Sequence, residues 1–269
     1  MAAPVLQPYS SSVFNTLPSL HDADAEFKER NAAAIMKTAL ADIFTKYNVE
    51  GLLGVQLLHR HFRLENDERL VDAGGASIPW SNEGSEALDS RILPVSWAFD
   101  GDVYHPYEFK FVPPTQDLHE PIVPEPFLFE FNEALKAHDL QGVLGIRSLK
   151  PDFGNKPEME ITNGRSNITF DYDSDAAEND NAIEASWAFR EDGILTAATF
   201  CTSYCSGRSD YGGHNKYHSV SARFNIEIHT CSLDSRLPLA KRVMGLRIDL
   251  RGPPTGICLR HMQYSLVCC

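Results

Sequence analysis

Gly51-Leu52-Leu53-Gly54-Val55-Gln56-Leu57-Leu58-His59-Arg60-His61-Phe62 decides how this chain is read. The stretch returns, altered, over residues 142–153 as Gly-Val-Leu-Gly-Ile-Arg-Ser-Leu-Lys-Pro-Asp-Phe. Both copies open Gly-x-x-Gly, and Leu58 and Phe62 return as Leu149 and Phe153. His59 and His61 do not return: Lys150 and Asp152 stand in their places.

Working outward, the correspondence widens. At a shift of 91, Met36, Leu40 and Phe44 meet Phe127, Phe131 and Leu135. At a shift of 90, Ser96-Trp97-Ala98-Phe99 meets Ser186-Trp187-Ala188-Phe189, and Phe109 meets Phe200 at 91 again, so the register changes in a loop, where insertions are tolerated. Apolar residues at Phe27, Met36, Leu40, Ile43, Phe44 and Tyr47 predict an amphipathic helix over residues 24–47. β-like runs follow at the opening stretch, around Leu70 and Val71, and over 91–99 and 103–112, the last two joined by Asp100-Gly101-Asp102 as a hairpin. Residues 73–90 read as a long surface loop. The expected fold class is α+β, a tandem duplication of a helix plus an antiparallel sheet of about 90 residues each. The predicted organisation is an N-terminal arm (1–23) laid over the surface or left mobile, a first α+β repeat (24–114), a second (115–205), and a β-rich C-terminal extension (206–269) packed on the repeats. In that extension Val220, Ala222, Phe224, Ile226 and Ile228 alternate with polar residues as in a half-buried strand; further strands are expected at Leu246, Ile248 and Leu250 and over 257–267. Trp97 and Trp187 read as packing anchors.

Composition narrows the classes. With 269 residues, 43% of them hydrophobic, the chain can bury a substantial core. A formal net charge of −13 argues against a general nucleic-acid or anionic-membrane binder, which needs clustered Lys and Arg. Neither a basic-then-apolar leader nor an apolar run of spanning length is present, so a soluble, cytoplasmic protein is expected, with no transmembrane segment. Six cysteines are too few for a disulfide-built fold, and reduced thiols are expected.

Two places can carry chemistry. His59 and His61, two apart on an expected strand, point to one face and can chelate a metal ion with a carboxylate as third ligand, whereas Leu58 and Phe62 face the core. Glu65, Glu68, His105 and Glu108 are the nearby helpers; His105 and Glu108 become Thr196 and Thr199 in the second copy. The run Gly54-x4-His59-x-His61-x3-Glu65 resembles the first metal motif of cupins, where two histidines and a glutamate from adjoining strands hold a divalent metal. The likeness covers about a dozen residues; the second cupin motif is not found, and helices open both repeats. The other place is Cys201-x3-Cys205-x8-His214-x3-His218, two thiols and two imidazoles in a Gly- and Ser-rich loop, able to close a tetrahedral zinc site. It resembles a Cys2His2 finger in ligand order, with a shorter central spacer.

No Gly-x-Ser-x-Gly elbow or Gly-rich phosphate loop is present. The leading expectation is an intracellular metal-binding protein holding zinc at Cys201, Cys205, His214 and His218. Its rivals are an enzyme acting on a small organic substrate through His59 and His61, with Glu68, His105 or Glu108 assisting, and a protein-interaction scaffold without chemistry.

Overall fold

A computed structural model describes residues 3–81, 90–118, 123–149, 157–171, 182–190, 195–203, 245–247 and 263–265. It divides into two compact units, 1–216 and 217–269. Of the second unit, β12 (Gly245–Arg247) and β13 (Gln263–Ser265) form an antiparallel pair. The predicted strand over 220–228 lies outside the described residues.

The first unit opens with β1 (Val5–Leu6) and three helical segments, α1 (Ser11–Thr16), α2 (Leu20–Glu29) and α3 (Ala32–Ile35). A π-helical turn (Met36–Leu40) joins α3 to α4 (Ala41–Tyr47). The helix predicted over 24–47 thus begins four residues early and is interrupted at Asn31, whose left-handed backbone (φ 52°) breaks the ladder. Asn48, also left-handed, ends α4. Then come β2 (Leu53–Leu57), β3 (Glu68–Asp72), β4 (Ala76–Ser81), β5 (Ile92–Asp100), β6 (Val103–Phe111), α5 (Glu125–Ala137), β7 (Leu144–Ser148), β8 (Glu158–Asn163), β9 (Ser166–Asp171), β10 (Ile183–Phe189) and β11 (Leu195–Ser203). β4 occupies part of the stretch expected to be a surface loop, and it pairs with both β3 and β9.

Ten of these strands close into a ring in the order β6-β3-β4-β9-β8-β11-β10-β2-β7-β5, and the β5–β6 hairpin completes the circuit; β1 adds to β6 from outside the ring. This overturns the expected tandem α+β architecture. Residues 24–114 and 115–205 do not form two helix-plus-sheet units: β2 lies between β7 and β10, and β7 between β2 and β5, so each half supplies staves to one barrel. Nor is the sheet purely antiparallel, since β3 runs parallel to β6 and β8 parallel to β11. A ring leaves no exposed sheet edge to template association, a liability that two separate small sheets would each retain.

The helices α2 to α5 cover one side of the wall. Leu53, Val55 and Leu57 of β2, Leu144 and Ile146 of β7, Trp97 and Phe99 of β5, and Trp187 and Phe189 of β10 share a buried core with Met36, Leu40, Phe44, Phe127, Phe131 and Leu135. Phe27 stacks on Trp187 with ring centroids 4.9 Å apart, and Phe44 meets Phe127 edge-on at 5.1 Å. The alternate residues, Gly54 and Gln56 of β2 and Gly145 and Arg147 of β7, turn to the barrel interior. Both glycines sit where strands crowd: a Cβ on Gly54 would stand 2.5 Å from the Trp187 carbonyl oxygen, and one on Gly145 would collide likewise with that of Trp97.

The residues expected as an N-terminal arm (1–23) begin with the exposed strand β1 and then contribute to the core. Phe14 is fully buried and Leu17 nearly so, packed with Leu58, Leu64, Leu70, Ala98 and Tyr107 in a second cluster.

Candidate metal centre

β2 ends at Leu57, and His59 and His61 lie on the connection to β3 rather than on the strand. Their shared direction therefore comes from a turn of the chain and not from the two-residue strand period. His59 is 1% exposed, and its Nδ1 donates to the Leu57 carbonyl at 2.9 Å. A carbonyl only accepts, so Nδ1 carries a proton, and in the neutral ring Nε2 then carries the lone pair. That Nε2 is buried without a hydrogen-bond partner. The two imidazoles meet edge-on, with centroids 4.8 Å apart.

Other staves bring the remaining groups. β8 runs parallel to β11 in a register that sets Glu160 beside Cys201, both buried. β8 also places Thr162 on the same side of the strand, and Asn167 of β9 lies opposite Thr162. One donor atom each from His59, His61, Glu160 and Cys201 lies within 4.8 Å of all the others. Among the described residues, this is the group of His, Cys and carboxylate side chains that could hold a metal ion.

A hydrogen-bond chain orients these donors. His61 Nδ1 is 2.9 Å from Thr162 Oγ1, the Thr162 hydroxyl donates to Asn167 Oδ1 at 3.1 Å, and Asn167 Nδ2 donates to Glu160 Oε2 at 3.3 Å. With its own proton given to Asn167, Thr162 accepts from His61 Nδ1–H, and His61 Nε2 is left as an acceptor. That Nε2 lies 3.5 Å from Glu160 Oε2 and 3.9 Å from Glu108 Oε1, acceptor against acceptor. Cys201 Sγ lies 3.9 Å from Nδ1 of the same ring. Glu160 Oε1 faces Arg147 at 3.6 Å. Glu108 accepts from Gln56 at 3.1 Å and from the Ser96 hydroxyl at 2.9 Å through Oε2.

Burial dominates the electrostatics. It pushes His61 down to about 3, helped by neighbouring His59, so the ring is neutral at pH 7. The Cys201 thiol is pushed well up by burial and then by the Glu160 and Glu108 charges. Glu108 is raised, again by burial first. Burial also pushes Glu160 upward, but His61, Arg147, His59 and the Asn167 amide together hold it below its usual range; with His61 neutral, Arg147 is the cation that keeps it ionised. The interior therefore presents a carboxylate, two imidazole lone pairs and a thiol gathered around one point, with no proton between His61 Nε2 and Glu160 Oε2. That is the donor arrangement a divalent cation satisfies.

Of the residues singled out in the sequence, His59, His61, Glu108 and Cys201 come together. Glu68 is engaged elsewhere, paired with the Arg165 guanidinium and accepting from the Glu65 amide. Glu65, the glutamate of the cupin-like run, is exposed. His105 faces Ala98 across the β5–β6 hairpin and takes part in none of the cluster's hydrogen bonds. Cys205, His214 and His218 lie outside the described residues, as do Lys150 and Asp152. Glu160, Thr162, Asn167 and Arg147 were missed. Glu160 and Thr162 sit two apart in Met159-Glu160-Ile161-Thr162, an alternation that marks a strand with a polar face but not what that face meets. Among the described residues no helix is long and apolar enough to cross a membrane. No family model, no curated protein and no solved structure matches the chain, and the chemistry of the centre rests on these residues.

Proposed function

We propose that this protein binds a divalent transition-metal ion, zinc foremost, inside its barrel through His59, His61, Glu160 and Cys201. The observation that carries the reading is His59 Nε2, buried and without a hydrogen-bond partner, on a side chain whose donor group gathers with those of His61, Glu160 and Cys201. One thiolate, two imidazoles and one carboxylate suit a borderline-soft ion and not Mg²⁺ or Ca²⁺, which take oxygen donors. Ligand atoms of a tetrahedral zinc stand roughly 3.3–3.8 Å apart, so the present spread of up to 4.8 Å contracts by about an ångström on loading. Three of the four ligands have an outer partner of the kind that tunes metal sites: the Leu57 carbonyl for His59, Thr162 for His61, Arg147 and Asn167 for Glu160. With four protein donors the coordination is closed, which supports a structural or storage role.

Elemental analysis of protein purified without chelators tests this. One zinc per chain is expected, held more weakly in Cys201→Ser and His59→Ala; absence of metal from the native protein and failure to take up Zn²⁺ after stripping would overturn it.

A second reading, an enzyme acting on a small organic substrate, is favoured by Glu108, whose Oε1 lies near His61 and whose Oε2 is held by Gln56 and Ser96. A carboxylate so held beside a metal can take a proton from metal-bound water. Cobalt-substituted protein separates the two readings: a five-coordinate spectrum that responds to added azide supports the enzyme, and an inert four-coordinate spectrum the closed site.

A further inference from the structure

The connection from β2 to β3 carries both histidines, yet its backbone has little of the barrel ladder to hold it. What holds it is the N-terminal segment. The Arg60 amide, between the two histidines, donates to the Pro18 carbonyl at 2.9 Å, its guanidinium reaches the Leu17 carbonyl, and Ser19 and Arg60 form an isolated parallel bridge. Farther along, the Leu64 amide donates to Asn15 Oδ1 at 2.9 Å, and Asn15 Nδ2 donates to the Leu64 carbonyl at 2.8 Å. One side-chain amide thus satisfies both backbone groups of one residue, as a neighbouring strand would. Ser11 donates to the Asn66 carbonyl at 2.9 Å and Tyr9 to the Glu68 carbonyl at 2.7 Å. Three side chains and two backbone carbonyls of residues 9–18 therefore track the connection from Arg60 to Glu68. Phe14 anchors the segment, fully buried against Leu58 and Leu64, which flank the histidines in sequence.

Building on the metal reading above, we propose that residues 9–19 are a clamp on the metal centre. They position His59 and His61 for coordination, and release of the ion requires the clamp to let go of the 60–64 turn. Asn15 is the positioning residue at its middle; it lies outside the donor group and acts through the backbone of Leu64. The arrangement makes metal retention depend on a short N-terminal segment, in which a change well removed in sequence from the ligands alters how long the ion stays.

The test measures the rate at which zinc passes from the full-length holoprotein to a chromogenic chelator, alongside the melting temperature. In Asn15→Ala the zinc content stays at one per chain and release quickens about tenfold, in the range that loss of an outer-shell partner produces. Asn15→Asp keeps the acceptor for the Leu64 amide and recovers part of the difference. Phe131→Leu, in the core under the helices, lowers the melting temperature and leaves release unchanged. Release in Asn15→Ala equal to that of the native protein would overturn the clamp while the metal reading stands; release that merely follows the melting temperature, equally fast in Phe131→Leu, would overturn it too. A native protein that takes up no zinc overturns the metal reading, and the clamp with it.

Discussion

β2 and β7 are adjacent staves of one barrel, paired antiparallel with Val55 opposite Ile146 and Gly54 opposite Arg147. Toward the helices they are nearly interchangeable: Leu53, Val55 and Leu57 on one, Leu144 and Ile146 on the other, in one apolar core. Toward the interior they share a glycine and then part. Gln56 of β2 donates to Glu108, and the matching Arg147 of β7 pairs with Glu160. Only β2 leads into the turn bearing His59 and His61. The outward face answers a demand for volume, which many apolar side chains meet, so the two strands are alike there. The inward face answers a demand for charge and hydrogen-bond balance, in which each group depends on a particular partner, so one substitution changes what the place can do.

Substitutions that separate these two demands put the contrast at risk. The largest effects should fall on the packed side. Phe44→Ala should cost about 3–5 kcal/mol in urea unfolding, and Leu53→Ala about 2–5 kcal/mol. Neither should change the number of zinc ions bound by whatever protein remains folded. Loss of zinc in step with stability would show that the two faces are not independent.

On the interior side the order reverses. His59→Ala should weaken zinc binding about a hundredfold, taking one ligand's share of a site worth roughly 12 kcal/mol, while the metal-free protein keeps most of its stability. A competition titration against a chelator of known affinity reads this directly. Asn167→Ala, which removes the donor from Glu160 Oε2, should weaken binding about tenfold.

pH separates the faces without mutation. His61 is held near 3 in the fold against an ordinary value of 6.5, so below 6.5 the unfolded chain takes up a proton that the folded barrel refuses. The metal-free protein should lose stability progressively as pH falls from 6.5 toward 3, with no contribution from this group above 6.5; urea midpoints at pH 7.5 and 5 should differ, and His61→Gln should shrink the difference. Metal binding should also weaken as pH falls, since the Cys201 thiol must give up its proton for the ion to bind. Smallest of all, Glu130→Ala breaks an exposed pair with Lys46 on the outer helices and should change neither unfolding nor zinc content measurably.

Local pattern carried part of this. The β5–β6 hairpin was legible because Gly101 takes a left-handed turn (φ 57°) between two apolar runs. Met36, Leu40, Phe44, Phe127, Phe131 and Leu135 were legible as helix faces because the 3.6-residue period is written locally, and all six are buried. The closed ring was not, because strand order depends on pairings such as β2 with β10, more than a hundred residues apart, that no short-range period encodes. The N-terminal segment, polar and aperiodic, concealed a buried Phe14 and the amide of Asn15.

The pair of histidines, Cys201, the recurring glycines and the apolar stripes are written in the chain, since residue type and spacing are local properties. Which donors share one space was decided by the tertiary structure. His59 and His61 stand beside Glu160 and Cys201 because a connection leaving β2 meets the parallel pair β8–β11 inside the barrel, roughly a hundred residues or more farther along the chain. A metal site is a matter of ångströms between atoms, and over such separations those distances are set by strand register and ring closure, which a chain acquires only by folding.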